Sequence, residues 1–284
     1  MPRVALATCA ELPVLDADEP LLLDALSQLG VNGEPAVWDD PDVEWAGYDL
    51  VVIRATWDYT ARRDEFLAWT ERVPRLLNPP DVISWNTDKR YLRDLPHAVE
   101  TDFVLPGDVW TPSHDGEFVV KPTVSAGSRD TARYMPEDQD RARTHVASLL
   151  DAGRTVMIQP YLGAVDDYGE TALIYFDGVF SHAIRKGQLL QPGGDPSGAL
   201  YVEEPITPRT PSAAEHEVAD AVLGALPWPR EALLYARVDV IPGPDGAPQL
   251  VELELTEPSL FFSHASGAAE RLAERIVRRL SSRR

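Results

Sequence analysis

Apolar and polar residues alternate along two runs near the end of the chain, within Leu234 to Leu260, on either side of a Pro/Gly-rich stretch. Such a pattern predicts a β-hairpin, with the turn spanning Pro242 to Pro248. Side chains on a strand alternate between faces, so Arg237 and Asp239 share one face of the first strand. Glu252 and Glu254 share one face of the second, with Val251, Leu253 and Leu255 on the other. Closure around Pro242 to Pro248 sets Asp239 opposite Glu252. Three carboxylates and a guanidinium then occupy one small patch. Carboxylates this close raise one another's pKa unless positive charge lies between them, and hard oxygen donors beside substrate phosphates suit Mg2+. The plain alternative is the solvated face of an antiparallel strand, which carries charges as a matter of course.

The same reading applied from the start of the chain predicts a strand at Arg3 to Thr8. A helix follows, with Asp18 as N-cap, Pro20 in its first turn and Gly30 past its end. A weak strand at Ala36 to Trp38, a strong one at Asp49 to Arg54 and a helix from about Arg62 to Val73 complete a small α/β unit. Ligands of open α/β sheets bind beyond the carboxyl ends of strands. Arg54, Trp57, Asp58 and Tyr59 therefore become substrate candidates, against a structural Arg–Asp pair as the plain alternative. A capped helix is expected from Thr87, with Lys89 in its first turn. Val119 to Lys121 ends a strand that runs into Ser125, Ala126, Gly127 and Ser128, a small-residue loop whose N–H groups can fold over phosphate. It is not the GxxxxGK[ST] loop. Pro136 to Ala152 reads as a helix and Arg154 to Leu162 as a strand that must leave its sheet at Pro160. A second hairpin turns at Asp177-Gly178. Its return strand ends at Arg185 and Lys186, beside a Gly-rich segment, Gln191 to Ala199, that reads as mobile. Ser212 to Leu226 and the Arg-rich C-terminal stretch read as helices.

Composition narrows the function. With 284 residues, 44% hydrophobic and 8% aromatic, the chain can hold one large domain or two to three smaller ones. A net charge of −20 argues against a nucleic-acid partner but not against a bound nucleotide, since local Lys and Arg can outweigh the global field. The single cysteine, Cys9, rules out an internal disulfide and reads as a buried strand residue. No apolar run approaches the roughly 18 residues a membrane span needs, and no signal peptide is legible, so a soluble cytoplasmic protein is expected. His182 and His264 stand alone and read as structural.

Taken in order, Lys89, VVKPTVSAGS, IQPYL and the pair ARVDV with VELE resemble the ATP-grasp superfamily over about residues 80 to 280. IRATWDY, SWNTDKRYL and VELELTEPSL are similar to the branch containing the cyclo-ligase of D-cycloserine biosynthesis, itself similar to bacterial glutathione synthetase. The resemblance implies an α/β chain, α+β in its C-terminal part. An N-terminal α/β substrate domain (1–80) would precede a central subdomain with the phosphate loop (81–160) and a C-terminal subdomain with the metal site (161–284). It implies ATP and Mg2+ as cofactors. Lys89 and Lys121 would contact phosphates, Ser125 to Ser128 would close over them, and Gln159, Tyr161 and Leu162 would line the adenine pocket, with Asp167 at the ribose. Asp239, Glu252 and Glu254 would hold the metal, although many members have Asn where Glu254 stands. Arg237 would stabilise the transferred phosphoryl group. Arg54 and Arg185 would receive the substrate's charged ends, Arg185 counting with Arg237 in the catalytic set, and Asp58 and Lys186 would complete the substrate pocket. The implied reaction is ADP-forming carboxylate–amine ligation through an acyl phosphate on a small amino-acid derivative, either within one molecule or between two. A phosphotransferase of the same fold and a non-catalytic nucleotide-binding module remain as alternatives. The oligomeric state, a homodimer included, is open.

Overall fold

The computed structural model describes residues 1–112, 115–196, 199–200 and 205–281. Ser197 and Gly198, within the Gly-rich segment read as mobile, lie outside the described residues. The first layer comprises β1 (Arg3–Thr8), α1 (Pro20–Gln28), β2 (Asn32–Val37), β3 (Leu50–Ala55), α2 (Arg63–Thr70) and β4 (Leu76–Leu77). Its sheet is parallel, in the order β2-β1-β3-β4. β3 is buried at every position, as a run covered on both faces must be. The chain leaves β1 towards β2 on one side and reaches β3 on the other, so the strand order reverses between β1 and β3.

Next comes α3 (Pro80–Asn86), opened by Pro79-Pro80, so that the helix expected to start near Thr87 lies earlier in the chain and ends at Asn86. Asn86 is tied to the chain near its C-terminal end, donating to Leu253 O and accepting from Leu255 N, which stops the helix there. Lys89–Asp94 is a separate 3₁₀ turn whose N-cap is Asp88. The second layer contains β5 (Asp102–Val104), β6 (Phe118–Pro122), β7 (Ala132–Tyr134), α4 (Gln139–Asp151) and β8 (Val156–Pro160), an antiparallel sheet of order β5-β8-β6-β7. After the short α5 (Ala164–Asp167), the third layer holds β9 (Glu170–Phe176), β10 (Val179–Lys186), β11 (Ile206–Arg209), α6 (Ala213–Gly224), β12 (Tyr235–Pro242) and β13 (Pro248–Glu254), antiparallel in the order β11-β10-β9-β12-β13. Asp177 (φ 49°) and Gly178 (φ 73°) close the β9–β10 hairpin with two left-handed residues, the type I′ geometry expected of Asp-Gly.

The final helix, α7 (Ala268–Ser281), folds back onto α1. Leu272 and Ile276 join Leu22, Leu26, Leu234 and Tyr235 in one core, which fuses the first and third layers. Asp18 does not cap α1; Glu19 occupies that position without a side-chain bond. Asp18 instead accepts the backbone N–H groups of Phe262 and Ser263, pinning the segment after β13 to the first layer. No helix among the described residues is long and apolar enough to cross a membrane.

Candidate active site

The three layers enclose a cavity of about 610 Å³. The hairpin of β12 and β13 forms its floor with the register read from the sequence: Pro242 opposite Pro248, Asp239 opposite Glu252, and Arg237 opposite Glu254. A bulge between Asp239 and Val240 adds one residue to β13. That residue, Val251, faces the cavity beside Ile241 and Leu162 instead of pointing away with Leu253 and Leu255.

On the floor, every carboxylate has a cation. The Arg237 guanidinium donates to both oxygens of Asp239 at 2.8–3.1 Å and to Glu254. The Lys186 ammonium bridges Asp239 (2.6 Å) and Glu170 (2.5 Å). Lys89 pairs with Glu252 at 3.1 Å and donates to Ser125. Burial works against the ionised form of Asp239, but Arg237 and Lys186 outweigh it and hold the carboxyl well below its usual range. Glu252 is also lowered: Lys89 and Lys121 overcome its burial. Glu254 goes the other way, pushed up to about 7, because burial and its acidic neighbours exceed the pull of Arg237. Lys121 lies on β6 with no ion-pair partner within 4.0 Å among the described residues. Burial depresses its pKa, with Glu252 opposing.

Over this floor the loop after β6 carries Ser125, Ala126, Gly127 and Ser128, all on the cavity wall. Gly127 (φ 58°) and Ser128 (φ 59°) are both left-handed, which curls the backbone into a concavity of the kind that collects anions. Gln159, Tyr161 and Leu162, where β8 leaves its sheet, line the same cavity with Val119 and Val165. Gln159 donates to Thr101 (2.9 Å), and Tyr161 carries the Arg133 guanidinium 3.5 Å above its ring and donates to Asp166. Asp239, Glu252 and Glu254 supply the hard oxygen chemistry Mg2+ requires. Glu252 and Glu254 reach the cavity, while Asp239 is 1% exposed and held by two cations. Among the described residues no three acidic or imidazole side chains form a closed metal cage. Two carboxylates completed by substrate phosphates is the usual Mg2+ arrangement.

Besides Asp239, four sequence candidates lie off the cavity. Arg54 is 2% exposed, in an ion pair with Glu19 at 2.6 Å and a hydrogen bond to Pro258 O at 3.0 Å. It holds the first layer to the third instead of facing a ligand. Asp58 accepts from Trp38 Nε1 (2.9 Å) and pairs with Arg62 (2.5 Å), a local structural lock. Arg185 points to the opposite face of β10 from Lys186, as adjacent strand residues must, and donates to Tyr168 O and Asp167 O. Asp167 is met there through its backbone, and its side chain does not line the cavity. His182 is structural, its Nε2 2.8 Å from Leu260 O.

The residues missed from sequence are Asp16, Asp18, Glu257, Ser259, Phe261 and His264, which line the cavity beside Trp57 and Tyr59. They come from the loop after β1 and from the segment after β13. The first was findable: strand order places the reversal point of the parallel sheet between β1 and β3, where a ligand crevice is expected. The second has no periodicity to mark it.

Comparison with known proteins fits this geometry. The family described as D-cycloserine synthetase DcsG, N-terminal domain, matches residues 4–78. The cycloserine biosynthesis protein DcsG of Streptomyces lavendulae is 39% identical over 98% of each chain. The crystal structure of D-cycloserine synthetase DcsG superposes with a TM-score of 0.88 at 37% identity, covering 98% of this chain and 99% of that one. The ATP complex of D-alanine–D-alanine ligase from Bacillus anthracis shares the fold alone, at TM-score 0.66 and 13% identity over 99% and 98% of the two chains. Identity of this extent over nearly the whole length means that the chain belongs to the D-cycloserine synthetase family of ATP-grasp ligases and is an ATP-dependent ligase.

Proposed function

We propose that this ligase closes a cycloserine-type ring: it activates the carboxylate of a serine whose side-chain oxygen carries a nucleophilic nitrogen, and joins the two within one molecule. The supporting observation is the β12–β13 register, which gathers Arg237, Glu252 and Glu254 on one face, opposite Lys89 and Lys121 and beneath the Ser125–Ser128 loop. Lys89, Lys121 and the Ser125–Ser128 loop would hold the ATP phosphates, and Gln159, Tyr161, Leu162 and Val251 would line the adenine. Glu252 and Glu254 would hold Mg2+, which when bound would neutralise charge on the phosphoryl group.

A free carboxylate resists attack by nitrogen because its leaving group would be oxide. Transfer of the γ-phosphoryl to a carboxylate oxygen gives an acyl phosphate and ADP. The substrate's nitrogen then attacks the carbonyl, phosphate departs with the C–O electron pair, and the nitrogen loses its proton. Arg237, facing the cavity at the carboxylate cluster, steadies the negative charge that builds on the transferring group. Walls of Phe261, Trp57 and Leu190 exclude water that would hydrolyse the acyl phosphate. The reaction belongs to the cytoplasm, where ATP is available.

The test is ADP release with O-amino-D-serine, ATP and Mg2+, followed by mass spectrometry. The expected product is the substrate less one water. A stable phosphorylated product would indicate a phosphotransferase, and a dimeric product an intermolecular ligase; either would refute ring closure.

A further inference from the structure

Glu257 is 8% exposed, yet its carboxylate lines the cavity and forms no ion pair within 4.0 Å among the described residues. Burial works against its ionised form, while Lys89 and the Tyr59 hydroxyl favour it. Tyr59 is itself 3% exposed. The nearby lining cations are committed elsewhere: Lys89 to Glu252, Lys186 to Glu170 and Asp239, and Arg237 to Asp239 and Glu254. The three segments that wall this part of the cavity, residues 9–19, 56–61 and 255–270, contain no Lys or Arg. They do contribute two further lining carboxylates. Asp18 spends its oxygens on Phe262 N and Ser263 N, and one oxygen of Asp16 caps Asp18 N. The Trp57 indole lines this part of the cavity, an aromatic surface that suits a cation, whereas the Phe261 ring already lies 5.6 Å from the Arg237 guanidinium. Trp57 is fixed by donating to Glu257 O at 3.2 Å.

A buried carboxylate without a counter-ion is costly, and a ligand that brings the missing positive charge recovers that cost. The place is also where topology puts a ligand, at the reversal between β1 and β3. We propose that Glu257, oriented by Tyr59, is the anchor for a primary ammonium group of the substrate, and so selects α-amino acids over carboxylic acids of the same shape. The proposal rests on the ring-closing reading above. It divides the cavity by charge: the substrate's carboxylate is drawn to the Arg237 side and its ammonium to Glu257, three residues beyond Glu254. That polarity fixes which end of a zwitterion meets the phosphoryl donor.

Calorimetric titration of the protein loaded with ADP and Mg2+ tests this, using D-cycloserine and isoxazolidin-3-one, the same ring without its amine. The wild type is expected to bind D-cycloserine at least tenfold more tightly than the amine-free ring. Glu257→Gln is expected to bind both rings alike, and Tyr59→Phe to lose part of the difference, with ADP affinity unchanged in both variants. Equal affinity of the wild type for the two rings would overturn the role of Glu257 and leave the ring-closing function standing. Binding of neither ring by the wild type would overturn that function and the subsite with it. A Glu257→Gln variant that keeps full discrimination would also overturn the proposal. So would one that loses ADP affinity by the same factor, since Glu257 would then belong to the phosphate region.

Discussion

The Arg54–Glu19 pair is deeply buried, and removing either partner has a different consequence. Both side chains are at most 2% exposed, the contact is 2.6 Å, and the pair joins the first layer to the backbone of Pro258. Breaking a buried pair from one side costs about 3–5 kcal/mol. Glu19→Gln leaves a guanidinium that cannot shed its proton, so the full cost falls at every accessible pH. Arg54→Met leaves a carboxyl that can be neutralised. Burial already pushes Glu19 upward, and only Arg54 opposes it. Once Arg54 is gone, Glu19 folds protonated, and from an ordinary pKa of about 4.3 that costs about 3.7 kcal/mol at pH 7 but about 1 kcal/mol at pH 5. The sign follows from a folded-state pKa raised above the unfolded one: stability is present at low pH and lost as pH rises. At about 2.1 cal/mol/K per residue, an unfolding entropy of about 0.6 kcal/mol/K turns 3–5 kcal/mol into a Tm drop of about 5–8 °C. Calorimetric melting at pH 5 and pH 7 should therefore show Arg54→Met recovering most of its loss at pH 5 while Glu19→Gln does not. An Arg54→Met protein that melts like the wild type at pH 7 but binds substrate poorly would refute the structural role and return Arg54 to the ligand site.

Three further outcomes are expected. Lys121→Ala removes a charge-assisted contact of about 1.5–3 kcal/mol and should weaken ATP by at least tenfold in calorimetry; an unchanged Kd would remove Lys121 from the phosphate site. Glu254 and Glu257, pushed up to about 7 and about 8, bind protons in the folded state that the unfolded chain has released. The ligand-free protein should thus lose stability as pH rises from 5 to 8, by up to about 1.4 kcal/mol per pH unit for each group, and denaturant titrations should show that slope flattening in Glu257→Gln. Cys9 is fully buried with a raised thiol pKa, so native protein should react with a thiol reagent no faster than it unfolds.

What the sequence could disclose depended on how far each signal reached along the chain. The β12–β13 register was readable because alternation and a Pro/Gly turn are local, and a two-residue period leaves no freedom once the turn is placed. The turn at Asp177-Gly178 was readable for the same reason. Arg54 was misread because it occupies a strand end that looks like a ligand position; its partner Glu19 lies 35 residues earlier and Pro258 O 204 residues later. Arg185 and Lys186 could not both face one cavity, and parity chose Lys186, whose neighbours Glu170 and Asp239 come from two other strands. Glu257 follows the last regular position of β13, where no period survives to say which way a side chain turns.

The net charge of −20 and an anionic nucleotide are reconciled by the way the cavity is pre-neutralised. Lys89 holds Glu252, Lys186 and Arg237 hold Asp239, and Arg237 reaches Glu254, so the cations are already oriented and stripped of most water. A phosphate arriving at Lys89 exchanges one anionic partner for another and does not have to order a free lysine, which lowers the entropic cost of binding. Lys121, without such a partner among the described residues, is the cation with most to gain. Burial depresses its pKa, and an incoming phosphate would favour its charged form. On this reading the acidic cluster does two jobs in sequence: it keeps the basic groups in place in the empty site, then yields them to the nucleotide. A Glu252→Gln protein separates the two, because it frees Lys89 for phosphate while removing an oxygen from the proposed metal site. Nucleotide measured without Mg2+ should bind it at least as tightly as the wild type, whereas turnover with Mg2+ should fall by at least a hundredfold. Loss of both together would show that Glu252 does not restrain Lys89 in the free enzyme.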